Sequence, residues 1–237
     1  LGKKRAHKIL SGMTIATVIF GITLSTLHQS GLGALYLMAK EKIHPLWYSE
    51  FIPILFFVSS IFAGLSMVIF EGSISQKVFK NQISDANNKA HKGIIHNLSK
   101  ICALTMFIYL FLQVITIVHG KHLNLIATPM GYWYLTEMLG FVLLPMVLFF
   151  ISYRRQNILL IKIAAVVTMI GIVINRLNVS IIGFRWDATP HYFPSWMEVV
   201  VTLTVILVEI WIFRWVVNRL PVLRESPDWA QDNNHKH

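Results

Sequence analysis

The chain has 237 residues, of which 55% are hydrophobic and only 14% are charged, and its formal net charge is +10. A mean hydropathy of +0.59 excludes an ordinary soluble domain, in which about a quarter of the residues are charged. No stretch alternates with the two-residue period of a transmembrane strand, so a membrane β-barrel is rejected as well.

Six apolar runs are each long enough to cross a hydrocarbon core, which takes about 20 helical residues. Backbone groups must be satisfied inside a bilayer, so these runs are predicted to be helices. The predicted fold class is all-α, a polytopic integral membrane protein with a six-helix bundle over residues 1–220 and a polar cytoplasmic tail over 221–237. The expected helices are about 9–38, 51–71, 97–118, 131–152, 157–176 and 195–219.

The basic residues are distributed unevenly between the two ends of these helices. Most of the 21 Lys and Arg residues flank one end, and those that fall at the other are Lys40, Lys42, Lys121, Arg176 and Arg185. The positive-inside rule then places both termini of this chain in the cytoplasm. The charge therefore indicates membrane topology, and nucleic acid is not expected as a partner.

The first helix ends in an unusual polar stretch, LSTLHQSGLGALY, over residues 24–36. Polar side chains in hydrocarbon need partners, so we expect His28 and Gln29 to face protein or a water-filled cavity. Gly31 and Gly33 allow a second backbone or a flat ligand to approach closely. Since imidazole titrates near neutral pH, we interpret this stretch as one wall of a quinone and proton site. A structural role for His28, or haem ligation with His119 as the second axial ligand, are the alternatives.

Glu137 lies near the start of the fourth predicted helix, about seven residues or roughly 10 Å below the outer surface. A carboxylate inside the membrane is a functional candidate by default, and we assign Glu137 to proton transfer. The alternative is a structural partner for an Arg on another helix. Pro145, farther along, is predicted to kink this helix.

A second polar cluster follows the fifth helix. We expect it to form the rim of a quinone headgroup site or a docking face for an outer electron-transfer subunit. The alternative is an outer loop held by an Arg–Asp pair. Its members are Asn175, Arg176, Asn178, Arg185 and Asp187.

Two further acids lie within or beside the membrane helices. Glu209 is roughly 22 Å from the outer end of the sixth helix, and together with Glu71 it is a candidate for a proton path from the cytoplasm. A structural role inside the bundle is equally compatible with Glu209. Ser195 and Glu198 fit the capping box that begins a helix.

Two aromatic groups at the helix ends are interpreted as interfacial anchors: Trp47 with Tyr48, and Tyr132 with Trp133 and Tyr134. The single cysteine, Cys102, excludes an internal disulfide, a Cys-ligated iron–sulfur cluster and a c-type haem attachment within these residues. No metal is expected in this chain.

Several motifs in combination resemble the NrfD-type membrane subunits, also called the polysulfide-reductase membrane-subunit family. The similarity covers nearly the whole chain and is greatest to the Hyb-type "cytochrome b" membrane subunits of nickel–iron hydrogenases. The membrane subunits of the quinone-reductase and sulfite-reductase-associated complexes of sulfate reducers are also similar. The motifs are TLHQSGLGALYL, KIHPLWYS, INRLNVSIIGF, HYFPSWMEVVVTL and FRWVVNRLPVL.

The resemblance implies a membrane subunit of a respiratory oxidoreductase in a bacterial or archaeal cytoplasmic membrane. Such a subunit is not catalytic alone. It exchanges electrons between menaquinone and an extracytoplasmic subunit with four iron–sulfur clusters, which in turn serves a catalytic subunit such as nickel–iron hydrogenase. Despite the name "cytochrome b", Hyb-type subunits generally bind no haem. His28 with Gln29, and the region from Arg176 to Asn178, carry over as site residues.

Hyb-type subunits have about ten transmembrane helices, so this chain corresponds to their C-terminal part. About four N-terminal helices are then expected to be missing or supplied by another chain. The rival functions are an ion or proton transporter, a membrane anchor without its own quinone chemistry, and a dihaem cytochrome b. The sequence shows no repeat with matched broken helices of the kind found in many transporters.

Overall fold

The computed structural model describes residues 2–78, 85–184, 186–187 and 194–219, with side chains from residue 13 in the first range and from residue 90 in the second. The predicted tail, 221–237, and Arg185 lie outside these residues. Seven α-helices and four short 3-10 or π-helical turns make up the described chain. In order they are α1 (Gly2–Leu37), a 3-10 turn (Lys40–Lys42), α2 (Ile52–Val78), α3 (Asp85–His119), a 3-10 turn (His122–Ala127), α4 (Pro129–Met138), a π-turn (Leu139–Leu143), α5 (Leu144–Arg155), α6 (Ile158–Leu177), a π-turn (Asn178–Ile182) and α7 (Trp196–Arg219).

These elements form six helical spans long and apolar enough to cross a membrane, with α4 and α5 continuous as one span. The predicted all-α class is therefore confirmed. Helices α2 and α3 extend beyond their predicted ends, through Val78 and from Asp85. These ends contain poor helix formers such as Gly, Ser and Asn as well as Lys, Gln and Ala, and they continue an established helix, to which each added residue contributes one backbone hydrogen bond.

The interior of the bundle lies between α2, α3, α5 and α6. Ile69, Cys102, Met106, Phe149 and Ile161 have no exposed surface there. Helix α1 packs along α2 outside this group. Of the described residues of α7, only Val217 is buried.

Two glycines let helices approach one another closely. A Cβ atom on Gly33 of α1 would lie 2.9 Å from the Cα atom of Pro53 at the start of α2. A Cβ atom on Gly171 of α6 would lie 2.6 Å from the Cβ atom of Phe141 in the first π-turn. The first contact joins α1 to α2 near one end of the bundle, and the second joins α6 to the middle of the α4–α5 span.

The first π-turn ends two residues before Pro145, which has no amide hydrogen to continue the α-helical ladder. The Leu144 amide instead donates to the Leu139 carbonyl, five residues back. The expected distortion at Pro145 thus takes the form of a π-turn, which directly follows Glu137 and Met138. Turns of this kind are frequent at functional sites.

Candidate functional site: a buried glutamate beside an arginine-lined cleft

Glu137 is almost fully buried, with 2% of its surface exposed. Its Oε2 atom accepts hydrogen bonds from Trp47 Nε1 at 2.8 Å and from Asn178 Nδ2 at 2.5 Å. Its Oε1 atom accepts from Asn175 Nδ2 at 2.5 Å. Three segments, the α1–α2 loop, α4 and the end of α6, therefore meet at one carboxyl group whose partners are neutral donors.

The end of α6 supplies two of these donors because of its local geometry. Asn175 and Asn178 are three residues apart, so they lie on the same helix face. Asn178 begins the second π-turn and also accepts a hydrogen bond at Oδ1 from Trp133 Nε1, at 3.0 Å. Both asparagine side chains are held by the bundle and directed to Glu137.

Arg176, between them in sequence, extends this network on another side. Its Nη1 atom donates to Asn175 Oδ1 at 2.9 Å, and its Nη2 atom donates to Ser59 Oγ of α2 at 2.7 Å. The guanidinium lies 3.6 Å from the ring centroid of Phe56, a cation–π distance. Asn175 thus bridges Glu137 and Arg176 directly.

Arg176 lines a cleft of about 560 Å³ between α1, α2 and α6, within the range of small-molecule sites. Gln29 and Tyr36 line the α1 side, and Phe56 lines the α2 side. Gln29 and Tyr36 are seven residues apart and therefore lie on one face of α1. The cleft combines a cation, an amide and a phenol with apolar walls that include Leu32, Met67 and Ile172.

A second set of polar groups lies on the other side of Glu137. Gln113 of α3 donates to the Tyr109 hydroxyl at 3.0 Å and accepts from the Tyr134 hydroxyl at 3.2 Å. All three side chains are buried. Tyr109, Glu137 and Asn175 line one narrow internal cavity, so this set adjoins the carboxyl group.

A polar surface cleft of about 310 Å³ lies at the same end of the bundle and is lined in part by Glu50, Thr116, His119 and His122. Thr116 is hydrogen-bonded to Ser49, with 3.3 Å between their hydroxyl oxygens. Thr116 and Gln113 are three residues apart on α3 and share a face. A series of polar side chains, which includes Thr116 and Gln113, therefore lies between this cleft and Glu137.

His44 lies in the loop that carries Trp47. Burial, together with the nearby imidazole of His122, lowers the pKa of His44. The His44 Nδ1 atom accepts a hydrogen bond from the Leu46 amide at 3.2 Å. A neutral ring therefore helps to fix the turn that directs Trp47 to Glu137.

The site residues predicted from the sequence do not all lie together in the structure. Gln29 and Arg176 meet in the cleft, and Asn178 meets Glu137. His28 is exposed on α1 and does not line the cleft, and Asp187 is exposed in the loop before α7. Glu71 and Glu209 are exposed on α2 and α7. The functional roles of all these residues stay predictions.

The interpretation of Trp47 and Tyr134 as interfacial anchors is wrong. They are 6% and 1% exposed, and their rings form an edge-to-face pair with centroids 5.5 Å apart. Both side chains have polar groups satisfied inside the bundle, which removes the reason for an interfacial position. Tyr109 and Gln113 were not identified from the sequence, and Tyr36 was included only as the last residue of the polar stretch 24–36. Gln113 is a polar residue within the otherwise apolar run of α3, and that was the available signal.

The chain was also compared with known protein families and proteins. A family model described as "Polysulphide reductase, NrfD" matches residues 3–185, which include Gln29, Glu137 and Arg176. No solved structure matches the chain significantly.

Two curated relatives match almost the entire chain. A protein of Nitratidesulfovibrio vulgaris Hildenborough is 41% identical over 231 residues, 97% of this chain and 60% of the relative. The probable Ni/Fe-hydrogenase 2 b-type cytochrome subunit of Escherichia coli is 26% identical over 240 residues, 100% of this chain and 59% of the relative. The chain thus spans about three fifths of the length of these relatives. With six membrane-type helices and the NrfD match over most of its length, the chain is an integral membrane protein of the NrfD polysulphide reductase family.

Proposed function

We propose that the cleft between α1, α2 and α6 binds the headgroup of a quinone, and that Glu137 exchanges protons with this site. The chain would thereby act as the quinone-interacting membrane subunit of a respiratory oxidoreductase. The observation that carries the proposal is the position of Arg176, which lines the cleft and reaches Glu137 through the single side chain of Asn175.

The lining of the cleft fits the chemistry of a quinone. A quinone presents two carbonyl oxygens on a flat ring and carries an apolar tail. Arg176, Gln29 and Tyr36 offer hydrogen-bond donors to such oxygens, and the Phe56 ring offers an aromatic surface. The apolar side chains of Leu32, Met67 and Ile172 suit the ring edge and the first part of the tail.

Reduction of a quinone to a quinol takes up two electrons and two protons, so the site needs a proton donor near the ring. Glu137 is the buried ionisable carboxyl group next to the cleft. Asn175 is hydrogen-bonded to both Glu137 and Arg176. The Tyr109–Gln113–Tyr134 set lies on the far side of the carboxyl group. We assign proton transfer to Glu137 and keep His28, exposed on α1, as a second candidate. The proposed proton path extends toward the cytoplasm through Glu71 and Glu209.

The proposed electron partner is an extracytoplasmic iron–sulfur subunit, with menaquinone as the quinone. The NrfD match and the hydrogenase-subunit name of the Escherichia coli relative support this assignment. A catalytic subunit such as a nickel–iron hydrogenase would complete the complex. The rim around Asp187, and Arg185 outside the described residues, are the proposed contacts of the iron–sulfur subunit or of the quinone.

The test uses the whole complex, purified from native membranes in mild detergent, with Arg176→Gln. Charged hydrogen bonds contribute about 1.5–3 kcal/mol each, so we expect the KM for quinone to rise roughly tenfold to a hundredfold. Bound quinone should fall in parallel, while electron transfer from the catalytic subunit to a soluble dye is retained. Arg155→Gln, an exposed cation at the end of α5, is the matched control and should leave both measurements unchanged.

The same preparation distinguishes the rival functions. Unchanged quinone affinity in Arg176→Gln would contradict the proposed site, and quinone turnover insensitive to both Arg176→Gln and Glu137→Gln would favour a passive anchor. Ion flux in liposomes without any redox partner would favour a transporter. A reduced-minus-oxidised spectrum with a b-type α-band assigned to this chain would favour a haem cytochrome.

A further inference from the structure

An apolar groove lies between α3 and α5, apart from the quinone cleft. Its volume is about 650 Å³, and its walls are mainly Ala103, Leu104 and Phe107 of α3 and Met146, Val147 and Phe150 of α5. Leu104, Phe107 and Phe150 are more than half exposed, at 59%, 56% and 54%. From Lys100 to Phe107 the groove follows two turns of α3, or roughly 10 Å along the bundle.

One end of the groove is cationic. Lys100 of α3 and Arg154 of α5 both line it, together with Tyr153. The Lys100 Nζ atom lies 5.9 Å from the Tyr153 ring centroid, and the Arg154 guanidinium lies 5.4 Å from the Phe150 ring centroid. The aromatic walls of the groove therefore hold both cations at its mouth.

The charge of this mouth is not balanced within the described part of the chain. No acidic residue among the described residues lines the groove. Neither Lys100 nor Arg154 has a salt bridge or a side-chain hydrogen bond there. Two cations with no counter-charge among the described residues, placed above an apolar channel, match a ligand that carries net negative charge at one end and hydrocarbon at the other.

We propose that this groove binds an anionic phospholipid, with its phosphate at Lys100 and Arg154 and one acyl chain along Leu104, Phe107 and Phe150. Basic pockets between transmembrane helices recognise such headgroups. A free phosphate would leave the apolar walls exposed, and a zwitterionic lipid would bring an ammonium group toward two cations. An anionic headgroup such as phosphatidylglycerol or cardiolipin satisfies both parts of the groove. The inference is independent of the quinone proposal.

The test is lipid retention by the whole complex. The complex is reconstituted in nanodiscs of equal parts phosphatidylglycerol and phosphatidylcholine and then extracted with mild detergent. Retained lipids are quantified by mass spectrometry. We expect the native complex to be enriched in phosphatidylglycerol and the K100Q/R154Q double variant to retain about tenfold less, because each cation near an anionic headgroup contributes to its binding.

The matched control is the K92Q/R155Q double variant, which removes one cation from each of the same two helices outside the groove. It should retain phosphatidylglycerol at the native level. Leu104→Trp fills the groove without changing its charge, and it should also lose the lipid. This variant keeps the test valid if the double charge variant fails to assemble.

Equal retention of the two lipids by the native complex would overturn the proposal, as would full retention in K100Q/R154Q. If Leu104→Trp loses bound quinone in place of lipid, the ligand of the groove is a quinone. That result would also overturn the proposal.

Discussion

At the scale of single residues, the most informative group is Glu137. One of its three hydrogen-bond partners, Trp47, is in the α1–α2 loop, and the other two, Asn175 and Asn178, are at the end of α6. A buried carboxyl group costs free energy unless it is hydrogen-bonded. The bundle supplies three donors to this one group, which is the arrangement expected for a residue whose position must be fixed.

Glu137→Gln tests the proton role at this scale. An amide of the same shape cannot exchange protons with a quinone, and general acid–base groups typically contribute about 10²–10⁴-fold. We therefore expect quinone turnover by the complex to fall by at least about a hundredfold, with the KM for quinone little changed.

Glu41→Gln is the control for this substitution, because Glu41 is an exposed carboxylate at the same end of the bundle and lines neither the quinone cleft nor the cleft at His119 and His122. It should preserve turnover. If Glu137→Gln raises the KM and leaves the maximal rate intact, Glu137 is a structural acid that shapes the cleft, and the proton role is wrong.

At the scale of helices, the cleft depends on how closely α1 approaches α2. Gly33 permits this approach, since its Cβ position is 2.9 Å from Pro53 Cα and 3.0 Å from the Ile52 carbonyl oxygen. Gly31, two residues before Gly33, has no atom within 4 Å of its Cβ position. The two glycines look equivalent in the sequence and differ in their surroundings.

Gly33→Ala and Gly31→Ala form a matched pair. The first must displace α1 from α2, and overpacking of this kind costs about 1–3 kcal/mol. We expect a lower midpoint of thermal unfolding and weaker quinone binding for Gly33→Ala.

Gly31→Ala should be neutral or slightly stabilising, because Ala is the better helix former by about 1 kcal/mol. Equal effects of the two substitutions on quinone binding would show that the α1–α2 contact does not shape the site.

The helices themselves were predictable from the sequence, because apolar runs of sufficient length have few alternatives in a bilayer. The partners inside the bundle were not. Hydropathy gives the same signal for lipid-facing and protein-facing side chains, so it could not show that Trp47 is buried while Trp133 is 41% exposed. Gln29 and Glu137 were identified as polar groups within apolar runs, and Arg176 and Asn178 as members of the polar cluster after the fifth helix. Their grouping into a cleft and a carboxyl network depends on tertiary packing.

At the scale of the whole molecule, the proposed sites are segregated along the bundle. The quinone cleft, Glu137 and the cleft lined by His119 and His122 lie at the end where α1 finishes and α2 begins. The cationic mouth of the lipid groove lies at the opposite end, near the turn between α5 and α6. On the positive-inside rule, we propose that the first end faces the outside and the second faces the cytoplasm.

Cysteine labelling in intact cells tests this orientation. Cys102 is buried and should give little background with a membrane-impermeant maleimide. We expect Glu50→Cys to be labelled in intact cells and Gln156→Cys to be labelled only after permeabilisation, since both positions are exposed at opposite ends of the bundle. The reverse pattern would place the quinone cleft at the cytoplasmic face.

The central claim, a quinone in the cleft lined by Arg176, is tested most directly by photolabelling the native complex. A short-tailed naphthoquinone with a photoreactive group should label peptides over residues 25–36 and 56–67, in competition with menaquinone. Labelling of these peptides should fall in Arg176→Gln and persist in Arg155→Gln. Competable labelling confined to other segments, such as the walls of the α3–α5 groove, would contradict the claim.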